Sequence, residues 1–176
     1  MVPDSFIGYF TGAATAAAAL IGLLFVAVSL RPEAVMGTGA SAKAQAVAGS
    51  AFTALVNSFF VSLIATIPST NLGYTAVIMG LVSLYSTFRL HRGLGKGESA
   101  GAQLTLAVAA YLTQLVAGVF LIDSPGRQSL VYTIAYVVVA AFAAALGRAW
   151  TLAQGGNAPE TPGKTHGRHA SQPQET

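Results

Sequence analysis

Long apolar stretches separated by short polar segments dominate this chain and predict its secondary structure. The stretches contain no Asp, Glu, Lys, Arg or His, and they cover residues 6–30, 44–67, 72–88, 103–122 and 129–147. About 20 apolar residues in a helix cross a hydrocarbon layer roughly 30 Å thick, and a helix satisfies its own backbone hydrogen bonds within lipid. The pattern therefore predicts an all-α polytopic membrane bundle of five transmembrane helices, of which the third is the shortest.

The composition agrees with this prediction. Of the 176 residues, 53% are hydrophobic and only 9% are charged, whereas soluble domains usually carry about a quarter charged residues. So few charges do not cover a water-facing globule of this size. The chain also has no cysteine, which excludes disulfides, thiolate metal sites and a cysteine nucleophile.

The basic residues lie in the gaps between the stretches and predict the orientation. If five spans start with the N-terminus outside, Arg127 alone faces outward, and the inner segments hold Arg31, Lys43, Arg89, Arg92, Lys96, Arg148, Lys164 and Arg168. This distribution follows the positive-inside rule, so we predict an outer N-terminus and an inner C-terminus. Topology also accounts for the net charge of +3, and no nucleic-acid partner is expected. Because Asp4 precedes a first stretch that is too long for a cleavable signal peptide, that stretch is predicted to be a retained span.

Short connections predict the order of packing. Residues 68–71 join the second and third spans, and residues 123–127 join the fourth and fifth. Such tight turns predict two antiparallel helical hairpins behind one leading helix. We expect residues 1–153 to form the bundle. Residues 154–176 are rich in Gly, Pro and polar side chains, and we expect them to be a disordered cytoplasmic tail.

Two carboxamides near the middle of predicted spans are the most distinctive polar groups. Asn57 lies in the second span and Gln114 in the fourth, and Ser58 and Ser62 accompany Asn57. An amide in hydrocarbon needs hydrogen-bond partners, so each side chain should face another helix or a wet cavity. Two interpretations remain open. The amides and serines form interhelical and local backbone hydrogen bonds that hold the bundle or an oligomer together, or they line a polar path or contact a ligand.

Small residues at four-residue spacing in the first span predict a helix-packing face. Gly8, Gly12 and Ala16 follow the small-xxx-small pattern that lets helix backbones approach closely in lipid. The pattern does not distinguish packing within one chain from packing between chains.

The polar segments between the spans predict a contact with lipid headgroups and no cofactor site. Arg89, Arg92 and Lys96 are predicted to contact anionic lipid headgroups. The glycines around Lys96 lack the order and the strand–helix context of a phosphate-binding loop. His166 and His169 form an HxxH pair, but no third ligand lies near them. We therefore expect no cofactor and no metal.

Three classes of function differ in what they need at membrane depth. An enzyme needs a nucleophile with a base, paired acids or a metal site, and the five stretches contain none of the acids or histidines involved. The same absence disfavours proton-coupled transport. A non-catalytic accessory, assembly or scaffold subunit fits best, with membrane lipid and either a second copy or another membrane protein as partners. A passive oligomeric channel or carrier for a small solute or ion is the alternative.

Residues 17–33, AAALIGLLFVAVSLRPE, and residues 51–73, AFTALVNSFFVSLIATIPSTNLG, resemble small uncharacterised multi-pass proteins of actinobacteria. The resemblance covers the spanning region and excludes the tail. It implies a multi-pass protein of the bacterial plasma (inner) membrane. It implies no activity, and it supplies no site residues.

Overall fold

The computed structural model describes residues 2–30, 42–92 and 98–155, and these residues form helices joined by short turns. No strand occurs within those ranges, so the all-α prediction is confirmed. One turn of 3-10 helix at Asp4–Phe6 leads into α1, and the α-helices are α1 (Ile7–Leu30), α2 (Ala42–Ala65), α3 (Leu72–His91), α4 (Glu98–Asp123) and α5 (Gln128–Gly155).

The helix ends lie near the predicted ones, and several helices continue into polar sequence. α2 ends shortly before Pro68, which lacks the backbone donor that a helix needs. α3 runs on to His91, and α5 runs to Gly155, two residues past the predicted end of the bundle. Helical hydrogen bonding continues where no proline interrupts it, although the side chains there are polar. The remainder of the predicted tail lies outside the described residues.

Four of the described helices are long and apolar enough to cross a membrane. They are Asp4–Leu30, Ala44–Ala65, Leu104–Asp123 and Gln128–Trp150. The third predicted span, now α3, is not among them. Its C-terminal half includes Ser83, Ser86, Thr87 and Arg89, and these polar side chains lower its hydropathy.

Helices α2 to α5 form a closed ring, and α1 packs on the outside. In the ring, α3 packs against α2 and α4, and α5 packs against α4 and α2. Helix α1 lies mainly on α2 and touches α5 only lightly. In consequence, α2 and α4 face each other across the centre of the ring, as do α3 and α5.

Contacts at the helix ends show that neighbouring helices in the ring are antiparallel. The Asn71 side chain, at the start of α3, donates a hydrogen bond to the Ile122 carbonyl at the end of α4, at 3.3 Å. A Cβ on Gly49, near the start of α2, would lie 3.0 Å from the Leu90 side chain at the end of α3. The ends of α1, α3 and α5 and the starts of α2 and α4 therefore share one end of the bundle, which we call the basic end because Arg89, Arg92 and Arg148 lie there.

Apolar side chains fill the bundle and also cover its outside. One buried cluster joins Phe10 of α1 to Val61, Leu121 and Ile134 of the ring, and a smaller cluster lies nearer the basic end around Leu55 and Ala141. Every helix also exposes large apolar side chains, among them Leu23, Phe60, Tyr85, Leu106 and Tyr136. Soluble monomers rarely expose apolar surface so extensively, and such a surface suits a lipid environment.

The two short turns are built by specific residues. Asn71 caps α3, because its side-chain oxygen accepts a hydrogen bond from the Gly73 amide at 2.9 Å. Gly126, in the turn between α4 and α5, has a φ of 91°, which glycine adopts without steric cost. These turns produce the two predicted hairpins, α2–α3 and α4–α5.

Candidate functional site

The two predicted carboxamides meet at the centre of the ring. Asn57 Nδ2 donates to Gln114 Oε1 at 2.9 Å, and Gln114 Nε2 donates back to Asn57 Oδ1 at 3.0 Å. Both side chains are fully buried. This reciprocal amide pair bridges α2 and α4 across the ring. Within the ring, the two helices pack mainly against α3 and α5, and the amides join them directly.

A third hydrogen bond ties the amide pair to α3. Gln114 Nε2 also donates to the backbone carbonyl of Ala76, at 3.1 Å. Gln114 thereby uses its amide nitrogen for two bonds and its oxygen for one, so three helices share a single hydrogen-bonded unit. Of the two interpretations left open for these amides, this geometry favours the interhelical hydrogen bond.

Close approach of α3 to α4 makes the bond to Ala76 possible, and glycines permit that approach. A Cβ on Gly73 would lie 2.6 Å from the Gly118 carbonyl oxygen and 2.7 Å from the Ile122 amide nitrogen. A Cβ on Gly118 would lie 3.0 Å from both the Gly73 carbonyl oxygen and Ala76 Cβ. Distances below 3.0 Å to backbone atoms leave no room for a side chain, so this contact depends on glycine. The sequence pattern alone does not indicate that these two glycines meet.

Two serines of α2 lie beside the amide pair in sequence, and their environments differ. Both are fully buried. Ser58 Oγ donates to the Ala54 carbonyl of its own helix at 2.9 Å, the local bonding expected of a helical serine. Ser62 Oγ has no hydrogen-bond partner among the described residues.

A second polar level lies between the amide pair and the basic end. Arg148 Nη1 donates to the Ser50 carbonyl at 3.3 Å and so links α5 to α2. The buried Tyr111 hydroxyl of α4 lies near both the Arg148 guanidinium and Ser83 of α3. Ser83 Oγ is buried and makes no hydrogen bond of good geometry with a described residue. All four helices of the ring therefore contribute to this level.

The sequence pattern alone indicates little of this second level. Arg148 reads as a charge that flanks a span, and neither Tyr111 nor Ser83 stands out among the apolar stretches. A signal was nevertheless present, because Ala76, Gly80, Ser83 and Thr87 recur at spacings of three and four residues. That spacing marks one face of a helix, and the four residues form the face that α3 turns toward the ring.

The predicted packing stripe on α1 lies on its open side. A Cβ on Gly8 or on Gly12 would meet nothing within 4 Å, and Ala16 is exposed. The opposite face, with Phe10, Ala13, Ala14 and Ala17, is the one that packs against the ring. The stripe therefore takes no part in packing within the described chain, and its packing against another chain stays a prediction.

Two of the three predicted headgroup contacts lie at the basic end. Arg89 and Arg92 are exposed there, at the end of α3. Lys96 lies outside the described residues. Within the described part of the chain, no three His, Asp or Glu side chains come close enough together to hold a metal ion. The polar groups assembled inside the ring are amides, hydroxyls and one guanidinium, which can form hydrogen bonds.

Comparison with models of known families, with curated proteins and with solved structures finds no match.

The resemblance to actinobacterial multi-pass proteins therefore stays a prediction.

Proposed function

We propose that this chain is an integral membrane protein of five spans that serves, without catalytic activity, as an accessory, assembly or scaffold subunit. Its N-terminus lies outside and its C-terminus inside, in a bacterial plasma (inner) membrane. The resemblance to actinobacterial proteins supports the choice of membrane.

The position of α3 supports the fifth span. At 20 residues, α3 is about 30 Å long, which matches the hydrocarbon layer. It lies between α2 and α4, both of which are apolar enough to span. Its outward face carries large exposed apolar side chains, namely Tyr74, Ile78, Leu81, Val82, Tyr85 and Phe88. The polar residues that lower its hydropathy include Ser83 and Thr87, which are buried inside the ring.

The two ends of the bundle support the orientation. Arg89, Arg92 and Arg148 lie at the basic end, whereas Asp4, Asp123 and Arg127 lie at the opposite end. Basic residues concentrate on the cytoplasmic side of membrane proteins, so the basic end faces inward in this proposal.

The observation that carries the scaffold role is the open face of α1. Only 11% of the spanning window of α1 is buried, the lowest share of the four candidate spans. Gly8, Gly12 and Ala16 leave a shallow, unoccupied stripe on this face. In lipid, such a stripe lets the backbone of another helix come close enough for extensive van der Waals contact. The central amides are hydrogen-bonded to each other, so they stabilise the bundle from within.

A passive channel or carrier remains the second candidate, on one specific observation. The Ser62 hydroxyl is buried without a hydrogen-bond partner among the described residues, and the buried Ser83 hydroxyl has only the nearby Tyr111 hydroxyl beside it. Buried hydroxyls at membrane depth are groups that could line a polar path. The ring alone would enclose such a path only if its centre opened, because the amide pair now joins α2 to α4.

Site-specific photo-crosslinking tests the scaffold role. A photoreactive amino acid replaces Thr11 in cells, because Thr11 is exposed next to the stripe and its replacement leaves the glycines in place. The same residue replaces Tyr136, which is 71% exposed on α5, as the lipid-facing control. We expect an adduct of one defined mass from position 11 and none from position 136. That mass separates a second copy from a different membrane protein. Equal adducts from both positions, or none from position 11, would contradict a partner surface on α1.

Flux through liposomes tests the channel candidate. We expect purified protein to pass small ions and glycerol no faster than empty liposomes do. A flux that Asn57→Leu and Gln114→Leu both abolish would instead favour the channel. Turnover of a lipid by the reconstituted protein would contradict both candidates.

A further inference from the structure

A groove between α1 and α2 is separate from the polar interior. It has a free volume of about 510 Å³ and is lined by Leu24, Phe25, Val28, Gln45, Ala48, Gly49 and Phe52. Ligand pockets in proteins usually measure roughly 300–1,000 Å³. Apart from the exposed Gln45, every side chain in the lining is apolar or absent.

The depth of the groove matches one leaflet. Its lining residues lie between about 3 and 15 Å from the end of α1 or the start of α2, at roughly 1.5 Å of rise per residue. Half of a hydrocarbon layer is about 15 Å thick. Gln45 lies at the shallow end, nearest the start of α2. Phe25 and Phe52 meet edge to face at 5.8 Å near the deep end.

Positive charge lies at the same end of the bundle as the shallow end of the groove. Gly49, on the α2 wall, is close to the Leu90 side chain of α3, and Arg89 and Arg92, which flank Leu90, are exposed. An apolar cleft in the leaflet, with exposed arginines on the adjoining end of α3, is complementary to a molecule that has an acyl chain and an anionic headgroup. A zwitterionic lipid would fill the cleft equally well, but it would gain less from the arginines.

We propose that this groove binds one acyl chain of an anionic phospholipid of the inner leaflet, with the headgroup held by Arg89 and Arg92. The proposal rests on the membrane location and the orientation given above, and it is independent of the scaffold role. A site of this kind would hold the loosely packed basic end of α1 against α2 and would make their packing depend on lipid composition.

Lipid retention measured by native mass spectrometry tests this site. The full chain is reconstituted in nanodiscs containing phosphatidylglycerol and phosphatidylcholine with identical acyl chains, and the ratio of the two lipids retained per chain is measured after release. We expect phosphatidylglycerol to be retained preferentially. Arg89→Gln and Arg92→Gln should each lower the ratio about fivefold. Arg127→Gln, at the opposite end of the bundle, should leave it unchanged.

A second pair of variants tests the cleft itself. Val28→Trp fills the groove from α1, and we expect the retained ratio to fall to that of the surrounding lipid. Val26→Trp places the same side chain on the exposed face of α1, where Val26 is 56% exposed, and should leave the ratio unchanged. We expect every variant to insert into the nanodisc. Insertion without selective lipid retention would contradict the lipid site and leave the membrane location unaffected.

Several results would overturn the proposal. They are no lipid retained by the unaltered chain, equal retention of the two lipids, an unchanged ratio in Val28→Trp, or a loss in Arg127→Gln as large as that in Arg89→Gln. A mass that falls from two chains to one in Val28→Trp would assign the groove to a second copy instead.

Discussion

The contact between α3 and α4 and the open face of α1 both present glycines on a helix surface, and the two sets of glycines have opposite environments. On α3 and α4, Gly73 and Gly118 lie against backbone atoms, with 2.6 Å from a Gly73 Cβ to the nearest one. On α1, Gly8 and Gly12 face open space. A glycine on a helix therefore permits close approach of another element, but the neighbouring elements determine whether anything approaches it. The closed contact stabilises the bundle, and the open one is available to a partner.

The largest difference between the two regions is expected when a glycine in each is replaced by alanine, which adds one methyl group. Gly73→Ala places a Cβ against the Gly118 carbonyl and the Ile122 amide, and neither backbone group can rotate away. We expect a loss of about 3 kcal/mol in the free energy of unfolding, at the upper end of typical overpacking costs. Gly12→Ala, the matched control, meets open space and should leave that free energy unchanged or raise it by up to about 1 kcal/mol, because alanine favours the helix more than glycine does. Equilibrium unfolding in mixed micelles measures both, and similar losses would refute the contrast.

Removing one of the central amides should have the next largest effect. Asn57→Leu removes the one described donor to the Gln114 oxygen and leaves the Gln114 nitrogen only its bond to the Ala76 carbonyl, which costs about 1–3 kcal/mol in a buried site. The double variant Asn57→Leu/Gln114→Leu should be more stable than the sum of the two single losses implies. The expected coupling is about 0.6–1.7 kcal/mol, the range known for membrane hydrogen bonds. Additive losses in the same unfolding assay would show that the amides do not act as a pair.

A larger side chain on the open face of α1 should weaken association with a partner and leave the folding of the chain unchanged. Gly12→Ile should weaken self-association or partner binding by about tenfold, because a branched side chain keeps the second backbone away. Val26→Leu, nearer the C-terminal end of the same helix, is the control and should have no effect on association. Cross-linking yield in membranes measures association. An unchanged yield in Gly12→Ile would remove α1 as the partner surface.

The smallest expected effects concern the two serines of α2. Ser62→Ala removes a buried hydroxyl that has no described partner, so stability should stay the same or rise by up to about 1 kcal/mol. Ser58→Ala loses only a bond to its own helix and should lower stability by about 0.5 kcal/mol or less. Unfolding in micelles compares the two variants. A marked loss in Ser62→Ala would mean that its hydroxyl has a partner, such as water or a solute.

The sequence predicted the helices well for a definite physical reason. Charged residues and prolines interrupt the apolar stretches, so each stretch had a visible beginning and end. Residues such as Arg31 and Pro68 marked these limits directly. The all-α class and the two hairpins follow from local properties of the chain.

The amide pair could be predicted only in part. Polarity at membrane depth identified Asn57 and Gln114, but nothing local indicates that they face each other. Their meeting depends on how the ring closes, which places α2 opposite α4. The glycine contacts of α3 and α4 and the polar level around Arg148 depend likewise on helix rotation and interaxial distance. Those quantities are set by the packing of all the helices together, so single stretches of sequence do not reveal them.

The central claim is that the chain crosses a membrane five times, and the sidedness of its two ends tests it most directly. The absence of cysteine allows single-cysteine variants, Ser5→Cys near the N-terminus and Ser171→Cys near the C-terminus, to be labelled with a membrane-impermeant maleimide. In intact spheroplasts we expect Ser5→Cys to be labelled at once and Ser171→Cys to react only after lysis. Labelling of both variants from the same side would contradict the five crossings.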